Sequence, residues 1–334
     1  MEKDNLIVVT GAGGFIGGNL VKSLANRGFC NIRAVDIKPK EQWYQIDKIA
    51  KNIDKCDLKE KENCYSVCND AFEIYNLAAD MGGLGFIESH KTECMLSVLI
   101  NTHMLMAARD VGKVERYLYS SSACAYNVKL QTNAITALKE SDAYPADAED
   151  GYGWEKLFSE RMCRHFREDY GIPTRIARFH NVYGPNGTWD GGREKAPAAI
   201  CRKIIQSVVE GEKEIEIWGD GEQTRSFMYI DDCLEGVDIL THSDFVDPLN
   251  IGSSELVSIN QLVDYVEQIA NVKLKRNYNL NAPKGVRGRN SDNTLIKKIF
   301  NWEPSTTLYN GLTQTYNWIK TQYELRKSGE SVVE

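Results

Sequence analysis

The feature that most constrains the fold is a glycine-rich turn, TGAGGFIG, which directly follows the apolar run LIVVT. Gly11, Gly14 and Gly17 are spaced so that the backbone can turn tightly, approach a pyrophosphate and let the next helix pack closely. The N-terminus of that helix then faces the phosphates. The pattern predicts a dinucleotide site that includes Gly11, Gly14, Phe15, Ile16 and Gly17, and an ordinary strand-to-helix loop is the alternative.

Two acidic residues extend this prediction. Asp36 ends the second strand-like run, IRAVDI, near the spacing at which an acid hydrogen-bonds both ribose hydroxyls. Because its negative charge would repel the 2′-phosphate of NADP, the predicted cofactor is NAD. Asp57, in the segment CDL, is a candidate for contact with the adenine amino group, and an exposed loop acid is the alternative.

The order of the remaining patterns predicts the fold class. Short β-rich runs alternate with helical patterns from LIVVT to RYLYSS, including a helical stretch at Thr92–Val111. That alternation predicts an α/β fold with a Rossmann-like, doubly wound parallel sheet. A further helix is predicted at Tyr152–Tyr170, and strands at TRIARF and Glu214–Trp218. Beyond Asn181 long loops break the rhythm, which indicates a smaller α/β lobe over the carboxyl edge of the sheet.

The 334 residues are enough for one large domain or two joined domains. We expect an NAD-binding domain at 1–180 plus about 225–245, because RSFMYIDDCLEGVDIL has the pattern of a return to the first domain. The substrate-binding lobe then comprises 181–224 and 246–334.

Composition narrows the class of function. The formal net charge of −7 argues against a general nucleic-acid surface, so no nucleic-acid partner is expected. The nine cysteines form no CxxC pair and have no His or acidic cluster at metal-site spacing, so we expect no metal and a reducing, cytoplasmic location. No apolar run reaches membrane-spanning length and a strand follows MEKDN at once, so we expect neither a membrane span nor a leader.

The segment GYGWEKL carries a candidate catalytic pair. Tyr152 and Lys156 stand at i and i+4, which places them on one face of a helix. A nearby ammonium lowers the pKa of a phenol, so Tyr152 is a candidate base for a hydroxyl proton. A bare YxxxK arises often by chance, but here Ser122 ends a preceding strand-like run and can hold the same substrate oxygen.

Together the motifs TGxxGFxG, SSxxxY and YxxxK resemble those of the extended short-chain dehydrogenase/reductases. The resemblance implies that NAD takes a hydride from C4 of a sugar nucleotide while Tyr152, Lys156 and Ser122 handle the proton. Longer stretches resemble the GDP-mannose 3,5-epimerase family, namely AADMGGLGF, SSSACAY, RFHNVYGPNGTWDGGREKAPAAICRK, WGDGEQTRSF and GVRGRNSDN. This likeness spans nearly the whole chain and lies mainly in loops, which points to ligand contacts rather than packing.

That resemblance implies inversion at C3 and C5 of GDP-mannose. A ketone at C4 acidifies the hydrogens on both neighbouring carbons, and inversion needs one group to remove a proton and another to return it to the opposite face. By resemblance these groups are Cys124 and Lys195, whose pKa values burial and neighbouring charges can bring toward neutrality. From the residues alone, the alternatives are a small buried hydrophobe for Cys124 and a solvated loop residue for Lys195.

The diphosphate of such a substrate needs cations or amides, and arginine is favoured for its bidentate fork. The alternative for each of the following residues is an ordinary surface or packing role. The candidate substrate contacts are Gly82, Ser122, Ala123, Cys124, Asn181, Glu194, Lys195, Ala196, Lys203, Gln223, Thr224, Arg225, Arg287 and Arg289. Of the last two, only one need face the phosphates.

Departures from the family pattern leave the exact reaction open. The chain has ACAYN and GYGWEKL where plant members of the family tend to have ACIYP and AYGLEKL. These differences leave room for a relative that acts on another nucleotide sugar, such as a GDP-heptose, or that inverts one centre only. A 4-epimerase, a 4,6-dehydratase and a cofactor-bearing sensor without turnover are also compatible with the motifs. The apolar faces of the two long predicted helices commonly pair across a two-fold axis in this superfamily, so we expect a homodimer.

Overall fold

A computed structural model of the protein describes residues 2–45, 50–133, 137–283, 285–330 and 332. The strands in chain order are β1 (Ile7–Thr10), β2 (Ile32–Val35), β3 (Lys51–Ile53), β4 (Glu73–Asn76), β5 (Arg116–Ser122), β6 (Ala137–Leu138), β7 (Thr174–Phe179), β8 (Val182–Tyr183), β9 (Glu214–Trp218), β10 (Thr224–Ser226), β11 (Met228–Tyr229), β12 (Leu249–Ile251), β13 (Leu256–Ser258), β14 (Lys275–Asn279) and β15 (Gly288–Ser291). The helices are α1 (Phe15–Asn26), α2 (Lys61–Cys68), α3 (Leu84–Ser89), α4 (Lys91–Val111), α5 (Asp150–Tyr170), α6 (Ala196–Glu210), α7 (Ile230–Thr241), α8 (Ile259–Ala270), α9 (Thr294–Phe300) and α10 (Leu308–Lys327).

The main sheet has the strand order β12-β7-β5-β4-β1-β2-β3, and all its neighbouring strands are parallel. From β1 the chain adds β2 and β3 on one side and then returns to place β4 on the other side. The carboxyl ends of the strands on either side of this reversal form the crevice in which such sheets bind ligands. The predicted α/β class and doubly wound parallel sheet are confirmed.

Both faces of the main sheet are buried. Ile7 and Val9 pack into one core cluster together with residues of α1 and α7, whereas Val8 packs into a second cluster with residues of α2 and α4. Successive strand residues point to opposite faces, so a run such as IVVT must be apolar throughout when helices cover both sides. No helix in the described ranges is both long enough and apolar enough to cross a lipid bilayer.

Over the carboxyl edge lies a second, smaller set of elements. A four-stranded sheet has the order β13-β10-β15-β6, and β9 pairs with β14 in a separate two-stranded sheet. Helices α6, α8 and α10 pack on one another. In this region β10 and β15 run parallel, with Arg225 opposite Arg289.

Three predicted boundaries differ from the structure. The helix expected at Thr92–Val111 begins one residue earlier, at Lys91. The helix expected at Tyr152–Tyr170 begins two residues earlier, at Asp150, and Glu149 stands directly before it. Strand β12 falls in the range expected for the second lobe, but it is hydrogen-bonded to β7 as an edge strand of the main sheet. The return of the chain to the first domain thus extends past residue 245, because the chain after α7 adds one more parallel strand. The rest of the division into two domains stays a prediction.

Candidate active site

A cavity of about 600 Å³ opens at the carboxyl ends of the main-sheet strands. Gly11 after β1, Asp36 after β2, Asp80 after β4, Ser122 at the end of β5 and Asn181 after β7 all line it. The position agrees with the crevice at the strand reversal, and its size is that of pockets that enclose small organic ligands. Residues of the second lobe complete the lining.

The end of the cavity next to β1 and β2 fits a dinucleotide. Gly11 has a left-handed backbone, with φ at +69°, and a Cβ atom on Gly17 would lie 2.2 Å from the Gly11 carbonyl oxygen. Only glycine at position 17 therefore allows α1 to approach the turn this closely, which leaves the helix N-terminus directed at the cavity. Phe15 and Ile16 line the cavity beside Gly14.

Asp36 is fixed at the edge of the same region. Its two carboxylate oxygens accept hydrogen bonds from the backbone N–H groups of Gly13, at 2.8 Å, and Lys38, at 2.9 Å. Burial raises the pKa of the Asp36 carboxyl, and these two hydrogen bonds oppose that rise. Asp57 also lines the cavity, and its side chain accepts a hydrogen bond from the Lys59 backbone N–H. The turn and the positioned acid together form a cradle suited to NAD.

Tyr152, Lys156 and Ser122 lie together on the cavity wall. The Lys156 ammonium is 5.5 Å from the centre of the Tyr152 ring and donates a hydrogen bond of 3.2 Å to the Tyr119 hydroxyl. The Ser122 hydroxyl lowers the pKa of the Tyr152 phenol. Contrary to the expected lowering by Lys156, the pKa of Tyr152 lies well above its ordinary value, because burial raises it and the nearby Cys124 and Glu155 raise it further.

Cys124 lies in a turn directly after β5. Its backbone N–H donates to the Ser122 hydroxyl oxygen at 3.2 Å, and the residue is 8% exposed and lines the cavity. A guanidinium nitrogen of Arg289 donates to the Cys124 sulfur at 3.3 Å. Contrary to the expected move toward neutrality, the pKa of the thiol lies above its ordinary value, because burial raises it, Arg289 lowers it and the carboxylate of Glu149 raises it further. The Cys124 thiol thus faces the cavity and lies close to charged side chains.

Lys195 lies directly before α6 and lines the same cavity. Burial lowers the pKa of its ammonium, and the Cys124 thiol acts in the opposite direction. The neighbouring Glu194 is held in place, because it accepts a hydrogen bond from Arg202 at 3.0 Å and one from the Gly192 backbone N–H at 2.7 Å. Lys195 therefore follows a residue that is held by hydrogen bonds, and the pKa of its amine lies closer to neutral pH than that of an exposed lysine.

Most of the other predicted substrate contacts also line this cavity, namely Gly82, Ala123, Asn181, Glu194, Ala196, Lys203, Gln223, Arg225 and Arg289. Burial and the nearby charge of Arg289 lower the pKa of Arg225 to about 10. Two like charges in register on adjacent strands favour a bound anion.

Two predicted contacts do not line the cavity. Arg287 is exposed and forms an ion pair of 2.9 Å with Asp220. Thr224 uses its backbone N–H to bond the carbonyl oxygen of Arg287. Of the arginine pair, it is Arg289 that reaches the cavity.

Sequence reasoning missed Glu149 and Gln131. The Glu149 carboxylate accepts a hydrogen bond of 2.6 Å from Arg289, and the Gln131 side-chain oxygen accepts one of 2.7 Å from the same guanidinium. Glu149 also lines the cavity. The only available signal was its position one helical turn before Tyr152, where i and i+3 side chains share a face.

Comparison with known proteins agrees with this geometry. The profile of the NAD dependent epimerase/dehydratase family matches residues 7–252. The chain is 48% identical over 323 residues to GDP-mannose 3,5-epimerase 1 of Oryza sativa subsp. indica, an alignment that covers 96% of the chain and 83% of that protein. It is 47% identical over 330 residues to GDP-mannose 3,5-epimerase of Arabidopsis thaliana, with 98% and 85% covered.

Solved structures share the fold at lower identity. UDP-glucose 4-epimerase of Thermotoga maritima, solved with UDP-glucose, superposes with a TM-score of 0.85 at 23% identity, with 95% of this chain and 99% of that one covered. UDP-glucuronic acid 4-epimerase of Bacillus cereus, solved with UDP-glucuronic acid and NAD, gives a TM-score of 0.79 at 24% identity, with the same shares covered.

Proposed function

The chain belongs to the NAD dependent epimerase/dehydratase family, and on that premise we propose that it inverts GDP-mannose at C3 and C5, toward GDP-L-galactose, GDP-L-gulose or both. The observation that carries this proposal is the lining of one cavity by Ser122, Tyr152 and Lys156 together with Cys124 and Lys195. A 4-epimerase or a 4,6-dehydratase needs the first three residues and has no use for the last two as a pair.

When bound in the glycine-rich cradle, NAD supplies a hydride acceptor that converts the C4 hydroxyl of the sugar to a carbonyl and later restores it. Tyr152 takes the proton of that hydroxyl and returns it at the end of the cycle. Because burial keeps this phenol protonated in the free protein, it needs an ordered neighbouring charge, which we assign to Lys156. The Ser122 hydroxyl holds the same substrate oxygen.

The second proton transfer belongs to Cys124 and Lys195. Hydrogens on the carbons next to a carbonyl are acidic, and inversion requires one group to remove a proton while the other protonates the opposite face. Burial raises the pKa of the thiol and lowers that of the amine. Both groups can therefore act as proton donor or acceptor in the cavity, and we assign the pair jointly to C3 and C5.

The remaining contacts bind and orient the nucleotide diphosphate. We assign the diphosphate chiefly to Arg225, with Lys203 and the amide groups of Asn181 and Gln223 as further contacts from the cavity lining. Gly82 and Ala196 border the sugar without side-chain bulk. Glu194 serves to hold the loop that carries Lys195.

The direct test is incubation of the protein with GDP-mannose and NAD in deuterated water, followed by NMR and mass analysis of the sugar. We expect deuterium at C3 and C5 and at least one epimer that differs from mannose at those carbons. Cys124→Ala should abolish this exchange while it preserves binding of GDP-mannose. Product inverted at C4 alone, or exchange that survives Cys124→Ala, would contradict the proposal.

We further propose that the protein is a homodimer. Apolar side chains are exposed on adjacent turns of two packed helices: Met95 and Leu99 of α4 are 49% and 37% exposed, and Trp154 and Phe158 of α5 are 44% and 54% exposed. A contiguous apolar patch of this kind is typical of an interface. We expect a dimer mass in sedimentation at micromolar concentration, and a monomer for Phe158→Glu. Leu280→Glu, at another exposed apolar position, is the matched control and should stay dimeric.

A cytoplasmic location is part of the same proposal. Each of the nine cysteines is free, and seven of them are buried. Unpaired thiols in such number suit a reducing compartment.

A further inference from the structure

Glu149 connects two elements of the site that are distant in sequence. Its backbone N–H donates to the Cys124 carbonyl oxygen at 3.0 Å, directly at the start of α5. Its carboxylate accepts a hydrogen bond of 2.6 Å from Arg289, and the two side chains are only 17% and 8% exposed. The residue therefore belongs to the surroundings of the thiol through both its main chain and its side chain.

The Arg289 guanidinium is held by three partners. One terminal nitrogen donates to Cys124, the other terminal nitrogen donates to Glu149, and Nε donates to Gln131. A planar guanidinium that donates hydrogen bonds in three directions is fixed in one orientation. The contact between Arg289 and the sulfur thus depends on the acceptors on the other side of the guanidinium.

The charges around the thiol come from several elements. The cations are Arg289 of β15, Arg225 of β10 and Lys195 before α6, and the anion is Glu149 before α5. The neutral titratable groups are Tyr152 of α5 and Cys94 of α4. The Glu149 carboxylate raises the pKa of the thiol. Among these groups Glu149 alone carries negative charge, so its removal leaves three cations facing the sulfur.

We propose that Glu149 is a positioning residue, which aims Arg289 at the Cys124 sulfur and offsets the positive charge that this sulfur meets. The proposal rests on the proposed role of Cys124 in proton transfer. In that role the thiol must give up and regain a proton within one cycle. An unopposed guanidinium would hold it as a thiolate, whereas an unopposed carboxylate would hold it protonated.

The test measures the thiol directly in the full-length protein and needs no turnover. Alkylation of Cys124 by iodoacetamide is followed by peptide mass spectrometry from about pH 6 to 10, because only the thiolate reacts. Glu149→Gln keeps a hydrogen-bond acceptor for Arg289 and removes the charge. We expect it to shift the midpoint of alkylation to lower pH by about one unit, the usual effect of one nearby charge.

Two matched variants complete the design. Glu149→Asp keeps the charge and should keep the midpoint within a few tenths of a unit of that of the unchanged protein. Glu115→Gln removes an exposed carboxylate directly before β5, at the end of that strand opposite the cavity, and should leave the midpoint unchanged. A purely structural Glu149 would give a lower melting temperature for Glu149→Gln with no shift of the midpoint, and that result would overturn the proposal.

A shift to higher pH would overturn it equally. The outcome is separable from the proposed function: if the unchanged protein exchanges no deuterium into GDP-mannose, the substrate assignment fails while the alkylation midpoints still decide the role of Glu149.

Discussion

Gly153 offers a sharp test of how the catalytic turn is placed. It lies in the first turns of α5, one residue after Tyr152, and an added Cβ atom would lie 2.3 Å from the Cys124 carbonyl oxygen. Ordinary contacts of a Cβ atom begin at 3.4 Å. Since the obstacle is backbone rather than a flexible side chain, Gly153→Ala must separate α5 from the Cys124 turn by about 1 Å.

The expected effects on stability and on turnover differ. Overpacking costs about 1–3 kcal/mol, and alanine regains about 1 kcal/mol of helix propensity over glycine, so the melting temperature should fall only modestly. In Gly153→Ala the strained contact lies between α5, which carries Tyr152, and the turn that carries Cys124. A misplacement of about 1 Å between reacting groups costs about 10²-fold in rate, so we expect kcat for deuterium exchange to fall by about that factor.

The assay compares exchange rates and thermal melts for Gly153→Ala and Gly85→Ala. At Gly85, in α3, an added Cβ atom has no neighbour within 4 Å, so this control should not lower the melting temperature. If Gly153→Ala exchanged deuterium at the original rate, α5 and the Cys124 turn would not pack as described, and the explanation given for the glycine would be wrong.

Three other predictions concern the cofactor, the amine and a remote ion pair. Asp36→Ser should weaken NAD binding about 10-fold to 100-fold, the effect expected for loss of a hydrogen bond to a charged group, and should reduce discrimination against NADP. Calorimetry with each nucleotide measures both effects, and unchanged selectivity between NAD and NADP would contradict the prediction. Lys195→Arg replaces the amine by a guanidinium that stays protonated near neutral pH and cannot accept a proton. The rate of deuterium exchange should therefore fall by about 10²-fold or more with little change in KM. Deuterium exchange at the original rate would show that Lys195 takes no part in the mechanism. Ion pairs with Asp238, at 3.2 Å, and with buried Glu73, at 3.4 Å, raise the pKa of His242 to about 10. The stabilising effect of His242 is therefore complete below the unfolded value near 6.5 and disappears as pH rises through 10. Urea unfolding should show His242→Gln to be less stable by roughly 2 kcal/mol at neutral pH, with a difference that narrows toward pH 10; a pH-independent difference would contradict this assignment.

The sequence predicted the parts of the site that local patterns encode. The glycine-rich turn, the acid at the end of β2 and the i, i+4 spacing of Tyr152 and Lys156 each follow from one continuous segment. A strand is predicted around Glu214–Trp218 next to a DG turn signal, and β9 has these bounds. In the structure its residues alternate between exposed and buried, as in a half-buried strand.

Long-range contacts were beyond such reasoning. Glu149 and Arg289 are 140 positions apart, and their ion pair depends on how β15 is paired within the second sheet. The choice between Arg287 and Arg289 has the same origin, because Asp220 retains Arg287 at the surface. Burial is equally invisible in a motif, which is why the direction of the Tyr152 pKa shift was wrong when it was argued from the neighbouring lysine alone.

The two sheets exchange edge strands, and this limits how the protein can be dissected. Strand β6, from the first half of the chain, pairs with β15 of the four-stranded sheet, and β12, from the second half, pairs with β7 of the main sheet. A cut near residue 180 would separate both strands from their partners and leave bare backbone donors and acceptors on each fragment. Chimeras meant to transplant one substrate preference onto another cofactor module must therefore carry residues 137–138 and 249–251 with the sheets they complete.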